Sequence, residues 1–177
     1  MYDLDTVSLW IHTTGESVIG AHKGKTLKFL PSTVTTWKNW RSEHPETLVL
    51  NVKQGKNAGF NLQKNPKAGG VSVGEPDGGL KFYPFDSLQK HRLVNDTVAG
   101  EKVVVFYDPD AFAFAAFERG DRTFTWKNGK MVDQTGKEWN PLKGTSGELA
   151  LKPVPAVPWL TTAWQRFYPK GVIYSDK

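Results

Sequence analysis

One histidine and three aspartates flank the most apolar stretch of the sequence and could form a polar cluster. His91 and Asp96 precede the run KVVVFY, residues 102–107, and Asp108 and Asp110 follow it. An imidazole with carboxylates can bind a divalent cation or transfer protons as an acid/base pair. We therefore take His91, Asp96 and Asp108 as candidate catalytic residues, and His91, Asp108 and Asp110 as candidate metal ligands.

Structural roles compete with this chemistry, and we favour them. Asp96 can cap a turn before the apolar run, and His91 can end a helix. Carboxylate pairs such as Asp108 with Asp110, or Asp133 with Glu138, could hydrolyse a glycosidic bond. Asp-Pro-Asp is also ordinary turn sequence, in which side chains accept backbone hydrogen bonds.

Several reaction classes lack their motifs. The 177 residues contain no cysteine, so thiol nucleophiles, thiolate metal ligands and disulfides are excluded. The sequence also lacks a phosphate-binding loop, a His-Glu-x-x-His pair and a serine in a Gly-x-Ser-x-Gly setting. No cofactor motif is evident. We favour a non-enzymatic binding or structural, self-associating module, with a metal-dependent or acid/base enzyme as the alternative.

Charge and aromatic content add a second alternative, binding of a polyanion or glycan. The net charge is +5, but the lysines are spread along the chain and form no nucleic-acid motif. Exposed indoles can stack on sugars or bases, whereas indoles on apolar helix faces fill a core, which we favour here. The seven are Trp10, Trp37, Trp40, Trp126, Trp139, Trp159 and Trp164. No apolar run reaches membrane-spanning length, and residues 1–5 do not resemble a signal peptide.

The hydropathy pattern predicts strands joined by short helices. KVVVFY is typical of a strand buried on both faces, and we expect it to be central. Asn128-Gly129 predicts a type I′ turn between strands at 123–126 and 131–132. Further strands are predicted at 7–11, 25–30, 47–52, 71–73, 80–83 and 112–117, with a helix at 85–93. We therefore predict an α+β, mainly β fold, with a twisted, mostly antiparallel sheet or a partly open barrel.

The end of the chain repeats its beginning, including two short Trp-bearing helices. Residues 34–44 have helical spacing, with Ser32 and Thr33 as caps and Pro45 as a stop. Trp40 matches Trp164 at an offset of 124. We infer an internal duplication, with 1–52 as a partial first repeat, 53–70 as a linker loop and 71–177 as a complete second repeat. We expect these parts to form one compact unit. Because half a unit exposes sheet edges, we expect the first repeat to dock on the second or on another chain.

Three stretches resemble the bacterial domain-of-unknown-function family 3179: residues 78–119, TFTW with DQTGKEW, and TTWKNWRSEHPETLVL. The resemblance implies two repeats per chain and no established reaction. Relatives have a Cys-Pro-x-Cys stretch where this chain has Asp108-Pro109-Asp110-Ala111, so no thiol chemistry carries over. The resemblance also implies a periplasmic or extracellular location. We expect Met1 to be either an internal start or a fragment boundary, since relatives begin earlier.

Overall fold

Two four-stranded sheets that share one hydrophobic core form the centre of the fold. The computed structural model describes residues 1–49, 62, 64–76 and 78–176. One sheet has the strand order β14-β8-β7-β6, and the other has the order β15-β4-β5-β16. Their bounds are Lys152–Val154 (β14), Ala113–Glu118 (β8), Glu101–Asp108 (β7), Leu93–Val98 (β6), Ala156–Leu160 (β15), Gly69–Glu75 (β4), Gly79–Pro84 (β5) and Val172–Ile173 (β16).

The strand β7 lies inside its sheet, as its sequence predicts. It pairs with β6 on one edge and β8 on the other, both antiparallel. Residues 103–107 are all buried, with alternate side chains in two different clusters. Val103, Val105 and Tyr107 face the second sheet, whereas Val104 packs among residues of the smaller sheet described below. Burial of both faces accounts for the unbroken apolar run.

The second sheet is built on the β4–β5 hairpin. The antiparallel strand β15 covers the β4 edge, and β16 covers the β5 edge as a parallel strand. Helix α2 (Phe85–His91) follows β5 directly and buries Phe85 and Leu88 in the shared core. The connection between β4 and β5 includes residue 77, which lies outside the described residues.

A three-stranded sheet packs on the outer face of β6–β8. Its strands are β9 (Phe124–Lys127), β10 (Lys130–Asp133) and β11 (Glu138–Trp139). Asn128 and Gly129, between β9 and β10, have φ values of 52° and 77°, which confirms the predicted turn with two positive φ angles. Two short strands follow, β12 (Thr145–Ser146) and β13 (Leu149–Ala150).

The N-terminal region differs most from the sequence prediction. It contains β1 (Tyr2–Asp3), β2 (Ser8–Trp10), β3 (Ser17–Ile19) and α1 (Trp37–Glu43). The strand predicted at 25–30 is wrong, since only Thr26 forms an isolated bridge there. Helix α1 begins at Trp37 rather than at residue 34, because Thr36 caps it through a hydrogen bond from the Asn39 N–H, in place of Ser32 or Thr33. Residues 50–52 of the strand predicted at 47–52 lie outside the described residues.

The described residues form a mostly β fold with several antiparallel sheets, and none of these sheets closes into a barrel. Of the two predicted architectures, the mostly antiparallel sheet is therefore the one observed. Helix α3 (Thr161–Phe167) is the second of the two Trp-bearing helices, and both have seven residues. Most of the predicted linker at 53–70 lies outside the described residues, although a short 3-10 helix (Pro66–Ala68) and the start of β4 fall within it. In the described part of the chain, no helix is long and apolar enough to cross a membrane.

Candidate functional site

The two aspartates after β7 are held by one arginine. Arg92, which ends α2 in a left-handed conformation with φ 57°, donates to Asp108 at 3.1 Å and to Asp110 at 2.7 Å. The hydrogen bond to Asp110 raises the pKa of Arg92 despite partial burial, and the Asp108 charge adds to the effect. The structure thus brings Asp108 and Asp110 together, but through a cation that neutralises them and links α2 to the end of β7.

Asp96 lies in a different cluster, on β6. Lys81 Nζ lies 2.7 Å from its carboxylate, and the Tyr83 hydroxyl donates to it at 2.9 Å. Partial burial raises the pKa of Asp96, but the hydrogen bonds from Lys81, the Thr97 backbone N–H and Tyr83 together outweigh burial and hold the pKa below its ordinary value. Burial, with the nearby Asp96 charge, raises the pKa of Tyr83. These contacts tie β6 to β5.

His91 contacts the C-terminal part of the chain. Its Nε2 lies 3.1 Å from Asp176 Oδ1, and Lys90 Nζ lies 3.2 Å from Asp176 Oδ2. Desolvation raises the pKa of Asp176, but the hydrogen bond from Lys90 and the His91 ring bring it below its ordinary value. The prediction that His91 ends a helix agrees with its position as the last residue of α2.

The candidate residues therefore have three separate sets of partners. Arg92 holds Asp108 and Asp110, Lys81 and Tyr83 hold Asp96, and His91 contacts Asp176. Across the described residues, no group of three or more His, Asp or Glu side chains is placed to hold a metal ion. Each carboxylate makes a local ion pair that joins two elements of the fold.

The second carboxylate pair lies on adjacent strands in unlike surroundings. Asp133 is buried and accepts hydrogen bonds from the Thr135 hydroxyl at 2.6 Å and the Trp139 indole N–H at 3.0 Å. Burial raises the pKa of Asp133, but these bonds and the backbone N–H of Lys137 outweigh it and bring the pKa to about 2. Glu138 is exposed and pairs with Lys130. The buried carboxylate thus fastens the turn between β10 and β11.

Three of the tryptophans are buried, two are half-buried and two are exposed. Trp139, Trp159 and Trp164 are buried, in agreement with the prediction that the indoles fill the core. That prediction is wrong for Trp37 and Trp40, which are 47% and 42% exposed on α1. The exposed pair and two of the buried tryptophans lie in the two ends of the chain that resemble one another. Residues 27–49 are called the open segment below, and residues 151–173 are called the covering segment.

The open and covering segments share local geometry. The N–H of the residue after each helix, His44 or Tyr168, donates to the carbonyl of Trp40 or Trp164 at 2.9 and 2.8 Å. These two capping residues have φ/ψ of −130°/67° and −127°/66°. Just upstream of the two segments, the Ile11 N–H donates to the Glu16 carbonyl and the Asn140 N–H to the Thr145 carbonyl, both at 2.8 Å. The helix pairs keep the sequence offset of 124, and the two upstream pairs, Ile11 with Asn140 and Glu16 with Thr145, share an offset of 129.

The two segments differ in what covers them. Trp164 is fully buried against Phe82 of β5, with ring centroids 4.9 Å apart, and its indole N–H donates to Ser72 of β4. Trp40 donates instead to Thr47 within the open segment, and its ring packs on His44 at 4.1 Å. Leu27 is 45% exposed, whereas its counterpart Leu151 is 7% exposed.

The open segment is therefore the candidate functional site, and it contains none of the candidate catalytic or metal-binding residues named from the sequence. The apolar spacing of Trp37 and Trp40 indicated burial, but it could not show that the burying surface is absent from residues 1–49. In the described part of the chain, no buried hydrophobic residue precedes Val71. A groove of about 610 Å³ runs beside α1, lined by Trp40, Glu43, Phe117 and Leu142 among others.

The described residues form a β-rich fold in which residues 27–49 expose large apolar side chains. Residues 1–69 match the model of the family described as "Protein of unknown function (DUF3179)". The match confirms the family resemblance over those residues, which include the TTWKNWRSEHPETLVL stretch, while the other two stretches that carried the resemblance lie beyond it. No curated protein and no solved structure matches the chain.

Proposed function

We propose that the protein is a non-enzymatic binding module that associates with another polypeptide through the open segment. The observation that carries the proposal is the contrast between Trp40, 42% exposed, and Trp164, fully buried in the same local backbone geometry. An internal duplication accounts for the shared geometry. Exposed apolar side chains grouped on one region are typical of an interaction surface.

The grouping of exposed apolar side chains supports this location. Most of the large hydrophobic side chains exposed in the described residues lie in residues 1–49. Within the open segment they are Leu27, Leu30, Trp37, Trp40, Leu48 and Val49. Tryptophan is enriched among residues that dominate binding energy at protein interfaces. The open segment therefore combines apolar area with two aromatic anchors.

The enzyme alternative, centred on His91, Asp96 and Asp108, requires these side chains to act together on a metal or substrate. Their separate ion pairs favour structural roles over that chemistry. The alternative predicts stoichiometric metal in the purified protein and a rise in the unfolding temperature on adding Zn²⁺ or Mn²⁺ that His91→Ala abolishes. We expect no such rise, since each carboxylate has a cationic partner.

Site-specific photo-crosslinking in the native cells tests the proposal. Leu48, 93% exposed, is replaced by p-benzoylphenylalanine, and the same replacement at Leu149 on β13, also exposed, is the matched control. We expect a discrete crosslinked protein band with the residue-48 variant that is missing with the residue-149 variant. Absence of a band at residue 48, or equal bands at both positions, contradicts binding through the open segment.

A polyanion or glycan is the second alternative partner, and salt distinguishes it. Binding to a polyanion weakens steeply as salt concentration rises, because bound counterions are released on association. Binding through an apolar surface does not weaken steeply as the salt concentration rises. Seven of the basic side chains already pair with carboxylates in the described residues, which favours the apolar surface.

A further inference from the structure

We propose that the open segment binds a β-hairpin of the same build as β4–β5, carried by a polypeptide other than residues 1–177. This inference rests on the proposed function, because it names the partner of the same surface. The covering segment supplies the template. It holds a hairpin by both edges, with β15 antiparallel to β4, β16 parallel to β5, and α3 crossing the face between them.

The alternation of backbone hydrogen bonds in the covering segment identifies which of its residues direct their N–H and C=O groups towards the hairpin. The Gly74 N–H donates to the Pro155 carbonyl at 3.0 Å, directly beyond the Ala156–Val73 pair. Since bonding positions alternate along an antiparallel pair, Val157 and Trp159 are the next ones to face β4. Pro158, which has no N–H, points away from it.

The backbone hydrogen bonds of the open segment alternate in the same way, and no described strand pairs with the corresponding edge. Val34, the counterpart of Pro158, exchanges both of its backbone hydrogen bonds with Phe114 of β8, at 3.3 and 3.2 Å. Thr33 and Thr35, the counterparts of Val157 and Trp159, must then direct their N–H and C=O groups to the opposite edge. Among the described residues, neither forms a backbone–backbone hydrogen bond. In the part of the chain that the structure describes, no strand pairs with the edge that would receive a hairpin.

The side chains define the chemistry of the hairpin. Trp164 requires an aromatic ring beneath it, Phe82, and a hydroxyl acceptor on the neighbouring strand, Ser72. Trp40 has the same helix position and donates its indole N–H to Thr47 at 3.0 Å, within its own segment. A hairpin with an aromatic residue and a hydroxyl at these two positions would give Trp40 the contacts of Trp164. The matching helix and cap geometry means that little reordering precedes binding.

A second copy of the chain does not supply this hairpin. Both edges of β4–β5 are already paired with β15 and β16. Each copy contains one such hairpin and two segments that fit it, the open and the covering segment. If the open segment of one copy bound the hairpin of another, it would displace that copy's covering segment, and the number of unpaired segments would stay the same. The hairpin therefore does not come from a second copy of residues 1–177, and we expect residues 1–177 alone to be a monomer of 19.8 kDa.

Titration of the full chain with a backbone-cyclised peptide of residues 69–84 tests the inference. This peptide has the sequence of the hairpin that fits the covering segment, and cyclisation offsets the low stability of an isolated hairpin. We expect saturable 1:1 binding by calorimetry with a Kd below about 100 μM. Trp40→Ser and Thr35→Pro each weaken it at least tenfold, the first by removing the anchor and the second by removing a backbone donor. Leu149→Ser and a scrambled cyclic peptide are the controls.

Three results would overturn the inference: no saturable binding, binding that Trp40→Ser and Thr35→Pro leave unchanged, or a homodimer in light scattering that Trp40→Ser dissociates. The crosslinking experiment separates this failure from that of the proposed function. A band from residue 48 without peptide binding leaves a binding module with another kind of partner. Loss of both the band and peptide binding removes the binding module itself.

Discussion

The buried carboxylate of Asp133 contributes to stability through its charge. Its pKa of about 2 in the folded protein lies below the ordinary value of 3.8. A depressed pKa contributes stability that is present above about pH 4 and is lost as pH falls towards 2. We expect Asp133→Asn to lower the free energy of unfolding at pH 7 by about 2 kcal/mol. The difference from wild type shrinks between pH 4 and pH 2, as measured by urea unfolding at a series of pH values.

The exposed Asp121 provides the matched substitution. It pairs with Lys102 at 2.6 Å, and its side chain is 96% exposed. Exposed ion pairs contribute little to stability, so Asp121→Asn should leave the urea midpoint unchanged at pH 7. Equal losses in the two variants, or a constant loss from pH 7 to pH 2 in Asp133→Asn, would contradict the assigned role of the buried charge.

The two Trp-bearing helices offer a comparison at the level of elements. Trp164 on α3 is fully buried on the sheet, whereas Trp40 on α1 is not. We expect Trp164→Ala to lower the free energy of unfolding by about 3–5 kcal/mol, because it leaves a large cavity. Trp40→Ala should cost less than about 1 kcal/mol, as for other substitutions away from a core. Chemical denaturation of both variants measures the difference, and similar losses would mean that residues 1–49 have a core of their own.

Local sequence patterns predicted the elements whose structure depends only on residues adjacent in the chain. The strand β7 follows from an unbroken apolar run, and the turn at Asn128 from the need for two positive φ angles. The strand predicted at 25–30 also has a β-prone sequence, but it pairs only through the isolated Glu16–Thr26 bridge, and pairing is a tertiary property. The site residues illustrate the same limit. The sequence identifies His91, Asp96 and Asp108 as candidate catalytic residues. Their roles depend on the ion-pair partners Asp176, Lys81 and Arg92, which lie elsewhere in the chain and could not be assigned from local sequence.

At the scale of the whole molecule, stability should be distributed unevenly along the chain. The shared core and the two outer clusters are formed by residues from Val71 onward, among those the structure describes. Residues 1–49 attach to that body through a few contacts, among them the Val34–Phe114 bridge and the ion pair between Glu43 and Lys143. Regions with few buried apolar contacts open without global unfolding.

Hydrogen exchange measured by mass spectrometry should therefore separate the two parts. We expect the amides of β7 and β8 to exchange only through global unfolding, and those of residues 27–49 to exchange at least 100-fold faster. The cyclic peptide of residues 69–84 should slow exchange in residues 27–49 and leave β7 unchanged, because a bound hairpin supplies hydrogen-bond partners at one edge. Equal protection of both parts in the free protein would contradict the uneven distribution, since the open segment would then be as firmly held as the sheet that the covering segment completes.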